Sequence, residues 1–272
     1  MRTVQLELLR PEEIREEQAR ISLVYLPIGP VEWHSYHMPM GCDGLVAQEQ
    51  ARGLAKLTGG VVAPTLFIGT EKNDSRDMLD NLNIPHDESS YILGMDFPKN
   101  IIPSMYLHEE VFAIIVREEM RLLAKMGFRM IAICNGHGAY GQVSTLQRLC
   151  DEVRDEQHVE CLFVDGYDSP RIDKLFEREQ PDPGHADRVE TALMMALTDS
   201  VDLTKLPLRD VPMHCADFGV ANGSQFGGVE PKDGLLRDDP RDATKAFGQE
   251  LMDAIVKDSA PFVLNYYKAH VK

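Results

Sequence analysis

Basic residues are scarce in this chain: 28 Lys and Arg stand against 44 Asp and Glu, for a formal charge of −16 at pH 7. Binding a phosphate backbone needs clustered cations, so nucleic acid is not expected as a partner. Tryptophan occurs once, at Trp33, and cysteine five times, at Cys42, Cys134, Cys150, Cys161 and Cys215. The odd count, wide spacing and lack of any C-x-x-C pair argue against a disulfide framework and against a thiolate zinc site, and fit a reducing compartment. No apolar run approaches the roughly 18 residues that a membrane span requires. The N-terminal stretch, with Glu7 and Pro11-Glu12-Glu13, lacks the basic and apolar regions of a signal peptide. A cytoplasmic protein with no membrane partner is expected, and no internal repeat or low-complexity linker breaks the chain.

Hydrophobic residues make up 43% of 272 positions, enough for a sizeable core. Their pattern alternates between short apolar runs and helical periodicity. Residues 11–20 predict a charged helix with Pro11 in its first turn, and Ile21–Ile28 a buried strand. Asp43 is placed to cap a helix carrying Leu45, Val46, Leu54, Ala55 and Leu57, which Gly59-Gly60 ends before a strand over Val61–Ile68. From Gly69 to about Tyr106 the pattern dissolves, over a length that suits a lid or a subunit contact. Leu107–Lys125 then predicts a helix with Val111, Ile114, Ile115, Met120 and Leu123 on its buried face. Met130–Cys134 reads as a strand, Gln142–Arg154 as a helix, Glu160–Asp165 as a strand, His185–Leu197 as a helix and Ala243–Ile255 as a late amphipathic helix, with 198–240 irregular. This alternation predicts an α/β fold: a single three-layer domain over residues 1–272 with a mostly parallel sheet between helices.

In such sheets ligands bind beyond the carboxyl ends of the strands, and polar, ligand-forming residues follow two of the expected strands. After Ile28 come Glu32-Trp33-His34-Ser35-Tyr36-His37 and then Gly41-Cys42-Asp43. Glu32 and His34 share a face in extended backbone, and carboxylate plus imidazole suit zinc, manganese or iron; a solvated polar loop would look the same. After Cys134 comes Asn135-Gly136-His137-Gly138-Ala139-Tyr140-Gly141, in which His137 fits either a ligand or a helix-start histidine bonded to its own loop. Glu190, in an otherwise apolar helix, needs a cation, either a metal or an Arg or Lys. His185, five residues earlier, falls on a different face of that expected helix. His37 suits a structural hydrogen bond, and Cys42 and Cys134 suit small buried packing groups.

Together these blocks resemble the creatininase family of amidohydrolases. Leu26-Pro27-Ile28-Gly29-Pro30-Val31-Glu32-Trp33-His34-Ser35-Tyr36-His37-Met38-Pro39-Met40-Gly41-Cys42-Asp43 is similar to its opening signature, Asn135-Gly136-His137-Gly138 to its N-G-H-G segment, and His185-Ala186 with Glu190-Thr191 to its H-A-x-x-x-E-T segment. The resemblance implies two divalent metal ions, zinc with zinc or with manganese. Glu32, Asp43 and His137 would hold one ion and His34, Asp43 and Glu190 the other, with His185 as the proton-transfer residue. It further implies a metal-activated hydroxide opening a small cyclic amide or related ring, and a homo-oligomer, commonly a hexamer.

The chain departs from the family pattern in three places: Pro30 replaces a serine, Ser35 the glycine between the histidines, and Ala139 a glutamate found in the family's namesake. The namesake also surrounds its substrate with tryptophans, so creatinine is not the expected substrate here. Some proteins similar to this family break a C–C bond in a diketo-inositol, for which 69–106, with Asn73, Asp74, His86 and Asp96, would supply hydroxyl-binding groups. A metal-bound subunit without activity is the remaining alternative.

Overall fold

The first strand to order the molecule is the wholly buried run Leu23–Ile28, β1. The computed structural model describes residues 3–71, 94–96, 100–164, 175, 185–211, 214–216, 219–221 and 239–271. Beside β1 lie β2 (Val61–Val62) on one edge and β3 (Met130–Asn135) on the other, followed by β4 (Glu160–Val164), in the order β2-β1-β3-β4. All three pairings are parallel, with Leu26 opposite Ile133 and Ile133 opposite Phe163. The α/β class with a parallel sheet expected from the sequence is the one observed.

Period-two alternation sends successive β1 and β3 side chains to opposite faces. Leu23, Tyr25, Met130, Ala132 and Cys134 pack on one side against α2 (Cys42–Thr58), α5 (Arg188–Leu197) and α6 (Lys245–His270). Val24, Leu26, Ile28, Ile131 and Ile133 pack on the other against α3 (Glu109–Lys125) and α4 (Tyr140–Gln157). Small residues set the helix spacing on the first side: a Cβ at Gly248 would lie 1.8 Å from the Ala192 carbonyl oxygen, so α6 sits directly on α5. The short α1 (Pro11–Arg20) precedes the sheet, and Glu17 from it accepts from the Gly60 amide at 2.6 Å.

Several expectations shift. The strand expected over 61–68 is two residues long, because Pro64 has no amide to donate; Leu66 resumes only as an isolated bridge to Ile28. The helix expected to end near Ile255 runs on to His270 through Pro261. On α3 the buried residues are Phe112, Ala113, Val116, Met120 and Leu123, whereas Val111, Ile114 and Ile115 are exposed. Two apolar stripes run along that helix, and periodicity alone does not say which one meets the sheet. In 198–240 the structure has a turn of 3-10 helix at Leu203–Lys205 and an antiparallel pair, β5 (His214–Ala216) with β6 (Gly219–Ala221). Asn73, Asp74 and His86 lie outside the described residues. Among the described residues no helix is long and apolar enough to cross a membrane.

Candidate metal centre

The loops after β1 and β3 meet at the start of α2, and two glycines permit it. A Cβ at Gly29 would lie 2.5 Å from the Asp43 carbonyl carbon, and one at Gly136 would lie 2.0 Å from its carbonyl oxygen. Asp43 is thus clamped between both strand ends. It does not cap α2 as the sequence suggested: Gly41 holds that position, and Asp43 is the second residue of the helix, 2% exposed, with its carboxylate turned inward.

Each carboxylate oxygen of Asp43 faces a different histidine, Oδ1 lying 3.1 Å from His34 Nε2 and Oδ2 3.2 Å from His137 Nδ1. Glu32 Oε2 stands 3.5 Å from His137 Nδ1, and Glu190 Oε2 stands 3.6 Å from His34 Nε2. Glu32, Asp43 and His137 therefore form one group and His34, Asp43 and Glu190, with Cys42, a second; within each group the donor atoms lie within 4.8 Å of one another. Glu32, His34 and His185 form a third.

Two polar atoms at the centre of this cluster lack hydrogen-bond partners. His34 Nδ1 donates to the Glu32 carbonyl at 3.0 Å, which turns Nε2 toward the carboxylates, and that buried atom has no hydrogen-bond partner. Asp43 Oδ2 is also buried without one. An uncompensated buried polar atom costs roughly 1–3 kcal/mol, and acceptors converging on a point between three carboxylates fit a cation. Burial disfavours a charge on His34, yet Cys42, Asp43 and Glu190 outweigh it and hold its pKa well above 6.5. His137 behaves alike, burial being outweighed by Glu32 and Asp43. For Glu32, burial is outweighed by His137, His185 and His34, and its pKa lies well below 4.5. Protons on two imidazoles thus supply the positive charge that the carboxylates need.

His185 does not sit on the helix with Glu190. Its neighbour Ala186 adopts a left-handed φ of 52°, Asp187 caps α5, and the helix begins at Arg188. That turn brings His185 back over His34, ring centroids 4.3 Å apart, so that residues expected on different faces converge. His185 Nε2 donates to the Trp33 carbonyl at 2.5 Å, leaving Nδ1 to face Glu32 Oε2 at 3.7 Å. Burial, then the neighbouring His34, lowers its pKa below 6.5, so it is neutral at pH 7. Glu190 accepts from the Ala186 amide at 2.5 Å, and among the described residues its ion-pair partner is His34 rather than an Arg or Lys.

The segment 69–106 contributes more than its composition suggested. The Tyr106 hydroxyl donates to Glu32 Oε1, and Glu71 Oε2 lies 4.0 Å from His137 Nε2. Nothing in the sequence marks either residue, because each is single and lacks a companion at fixed spacing. Asp96 accepts from the Ser104 amide at 2.6 Å, and Ser104 Oγ accepts from the Trp33 amide at 2.9 Å, so Asp96 braces the loop. His37 is structural: its Nε2 donates to Thr191 Oγ1 at 2.8 Å, and the Thr191 hydroxyl donates to Met38 Sδ at 3.2 Å. Trp33 is 4% exposed, edge-on to Tyr36 at 5.1 Å between centroids.

Residues 7–263 match the family model described as creatininase, creatinine amidohydrolase, and the chain belongs to the creatininase family. Over its whole length it is similar to a crystal structure of creatininase that it also covers completely, with 22% identity and a TM-score of 0.69. It is likewise similar to creatininase in an Mn form, at 22% identity and a TM-score of 0.68, covering 99% of this chain and 100% of that one. A mutant creatininase of Zn-Zn type gives 21% identity and a TM-score of 0.67, with 99% of each chain covered. At such identity the likeness establishes the shared fold. No curated protein sequence matches.

Proposed function

We propose that this chain, as one domain over residues 1–272, is a metal-dependent hydrolase that opens a small, polar cyclic amide or related ring. The observation that carries this reading is Asp43, whose two oxygens face His34 and His137 at 3.1 and 3.2 Å and so suit a carboxylate shared by two ions. Glu32, Asp43 and His137 would hold one divalent ion, and His34, Asp43 and Glu190 the other, zinc with zinc or manganese. Two such ions, when bound, acidify a water and polarise a carbonyl oxygen of the substrate.

The protein's own groups divide the remaining work. Tyr106 fixes one oxygen of Glu32, and the Ala186 amide fixes one oxygen of Glu190, so both carboxylates are held before any ligand arrives. His185, locked in its tautomer by the Trp33 carbonyl, presents an unprotonated Nδ1 to the centre. It is placed to take a proton as the nucleophile forms and to return it to the leaving atom. An imidazole neutral at pH 7 suits the first half of that cycle.

Ala139 and the buried Trp33 favour a second reading, in which the ring opened is a diketo-inositol and the bond broken is C–C. The start of α4 presents Ala139 where the family's namesake has a carboxylate, and the only tryptophan is too deep to stack on a planar guanidine ring. Lactams, formamides and keto-inositols incubated with the metal-loaded protein separate the two readings, since only C–N cleavage releases an amine. Full activity retained after His34→Ala or Glu190→Ala would overturn both. We also propose a homo-oligomer, supported by the exposed apolar stripe of Val111, Ile114, Ile115, Leu122 and Met126 along α3 and its end; the native mass in solution tests it.

A further inference from the structure

Cys42 lies in the same group as His34, Asp43 and Glu190, its sulfur within 4.8 Å of their donor atoms, and it is 1% exposed. Ligands at about 2.1 and 2.3 Å from a tetrahedral ion stand about 3.6 Å apart, so modest side-chain adjustment closes this group around one ion. His34 Nε2, buried without a hydrogen-bond partner, faces Asp43 and Glu190 in the same space, independently of the cysteine. Cysteine spacing along the chain argues only against sites built from C-x-x-C pairs. It does not bear on a mixed site whose other members come from the β1 loop and from α5.

We propose that Cys42 is the fourth ligand of the ion held by His34, Asp43 and Glu190. The inference rests on the two-metal reading above and assigns that ion a donor set of one sulfur, one nitrogen and two carboxylate oxygens. A thiol ligates as its thiolate, releasing its proton to solvent. Two consequences follow. Thiolate favours zinc over manganese, so this position discriminates between them, while the all-oxygen-and-nitrogen set of Glu32, Asp43 and His137 does so less. A fourth protein ligand would also leave this ion less room for water than an ion held by three residues, so water would bind chiefly at the ion held by Glu32, Asp43 and His137.

Cobalt(II) reports the ligand directly, because thiolate coordination adds an intense near-ultraviolet charge-transfer absorption that nitrogen and oxygen ligands lack. The full chain titrated with cobalt is expected to take up two ions and to show that band. Cys42→Ser is expected to lose the band and to weaken one ion by about 100-fold, with the other unchanged. Cys134→Ser, which alters a buried cysteine outside the cluster, is expected to keep it. Two bound cobalt ions without the band in the unmodified protein would overturn the role of Cys42 and leave the two-metal reading standing. Persistence of the band in Cys42→Ser would overturn it too, and failure to bind any cobalt would overturn both.

Discussion

The first turns of α2 and α5 use an aspartate in opposite ways. At α5, Asp187 caps the helix, its Oδ1 accepting from the Val189 and Glu190 amides at 2.9 and 3.1 Å. At α2 no side chain caps the helix, and Asp43, one residue inside it, turns its carboxylate to the two histidines with Oδ2 lacking a hydrogen-bond partner. One carboxylate stabilises its helix; the other is withheld from that task and faces two imidazoles. The pair shows how similar residues in similar local settings divide between fold and site, according to whether a backbone amide or a cluster of imidazoles lies within reach.

The sharpest way to break this contrast is to neutralise each aspartate. Asp43→Asn is expected to lower metal affinity and turnover by more than about 100-fold, with the fold retained by circular dichroism. Asp187→Ala is expected to cost about 1–2 kcal/mol of stability, measured by denaturant unfolding, and to slow turnover only as far as His185 and Glu190 lose their placement. Equal stability losses with equal metal retention would mean that the two carboxylates do the same job.

Removing the metal sharpens it further. His34 and His137 have folded pKa values well above 6.5, so in the metal-free protein their contribution is complete below about pH 6.5 and is lost as pH rises through those raised values. Chelator-treated protein is therefore expected to weaken with rising pH above neutrality, while loaded protein does not, as thermal melts across pH would record. Loading at pH 7 is expected to release protons, seen as a buffer-dependent binding enthalpy.

His37 runs the other way. Burial lowers its pKa to about 4, so its contribution is complete above about pH 6.5 and is lost as pH falls toward 4. The loss amounts to about 3 kcal/mol, and His37→Gln is expected to flatten that acid limb. The smallest effect concerns backbone: Ser35 and Ala186 hold left-handed φ values of 61° and 52°. Ser35→Gly, which restores the family's residue, is expected to stabilise by up to about 1 kcal/mol in chemical denaturation. It should leave metal content unchanged.

Much of the site was legible because its members occur at fixed spacing next to strand ends. Glu32, His34, Asp43 and His137 follow two expected strands, and with Glu190 they fall in blocks that resemble a family signature. Tyr106 and Glu71 were not legible, since a lone side chain carries no period. The convergence of His185 with Glu190 was misread for a related reason: a left-handed alanine is sterically uncommon, so nothing in the sequence announced the turn that separates His185 from α5. The glycine at the family's equivalent of Ser35 does hint that the loop after β1 needs positive φ there.

Composition and periodicity by themselves determined the alternation of strands and helices and the parallel sheet, because these depend on side-chain chemistry and on the two backbone repeats; the expected ligand set came from the resemblance of three motif blocks to a family signature. Only the tertiary structure decided which stripe of α3 is buried, which aspartate caps a helix and which faces two histidines, and that Cys42 faces the cluster. Those outcomes depend on which surfaces meet across gaps of a few ångströms, and no local pattern in the chain encodes that.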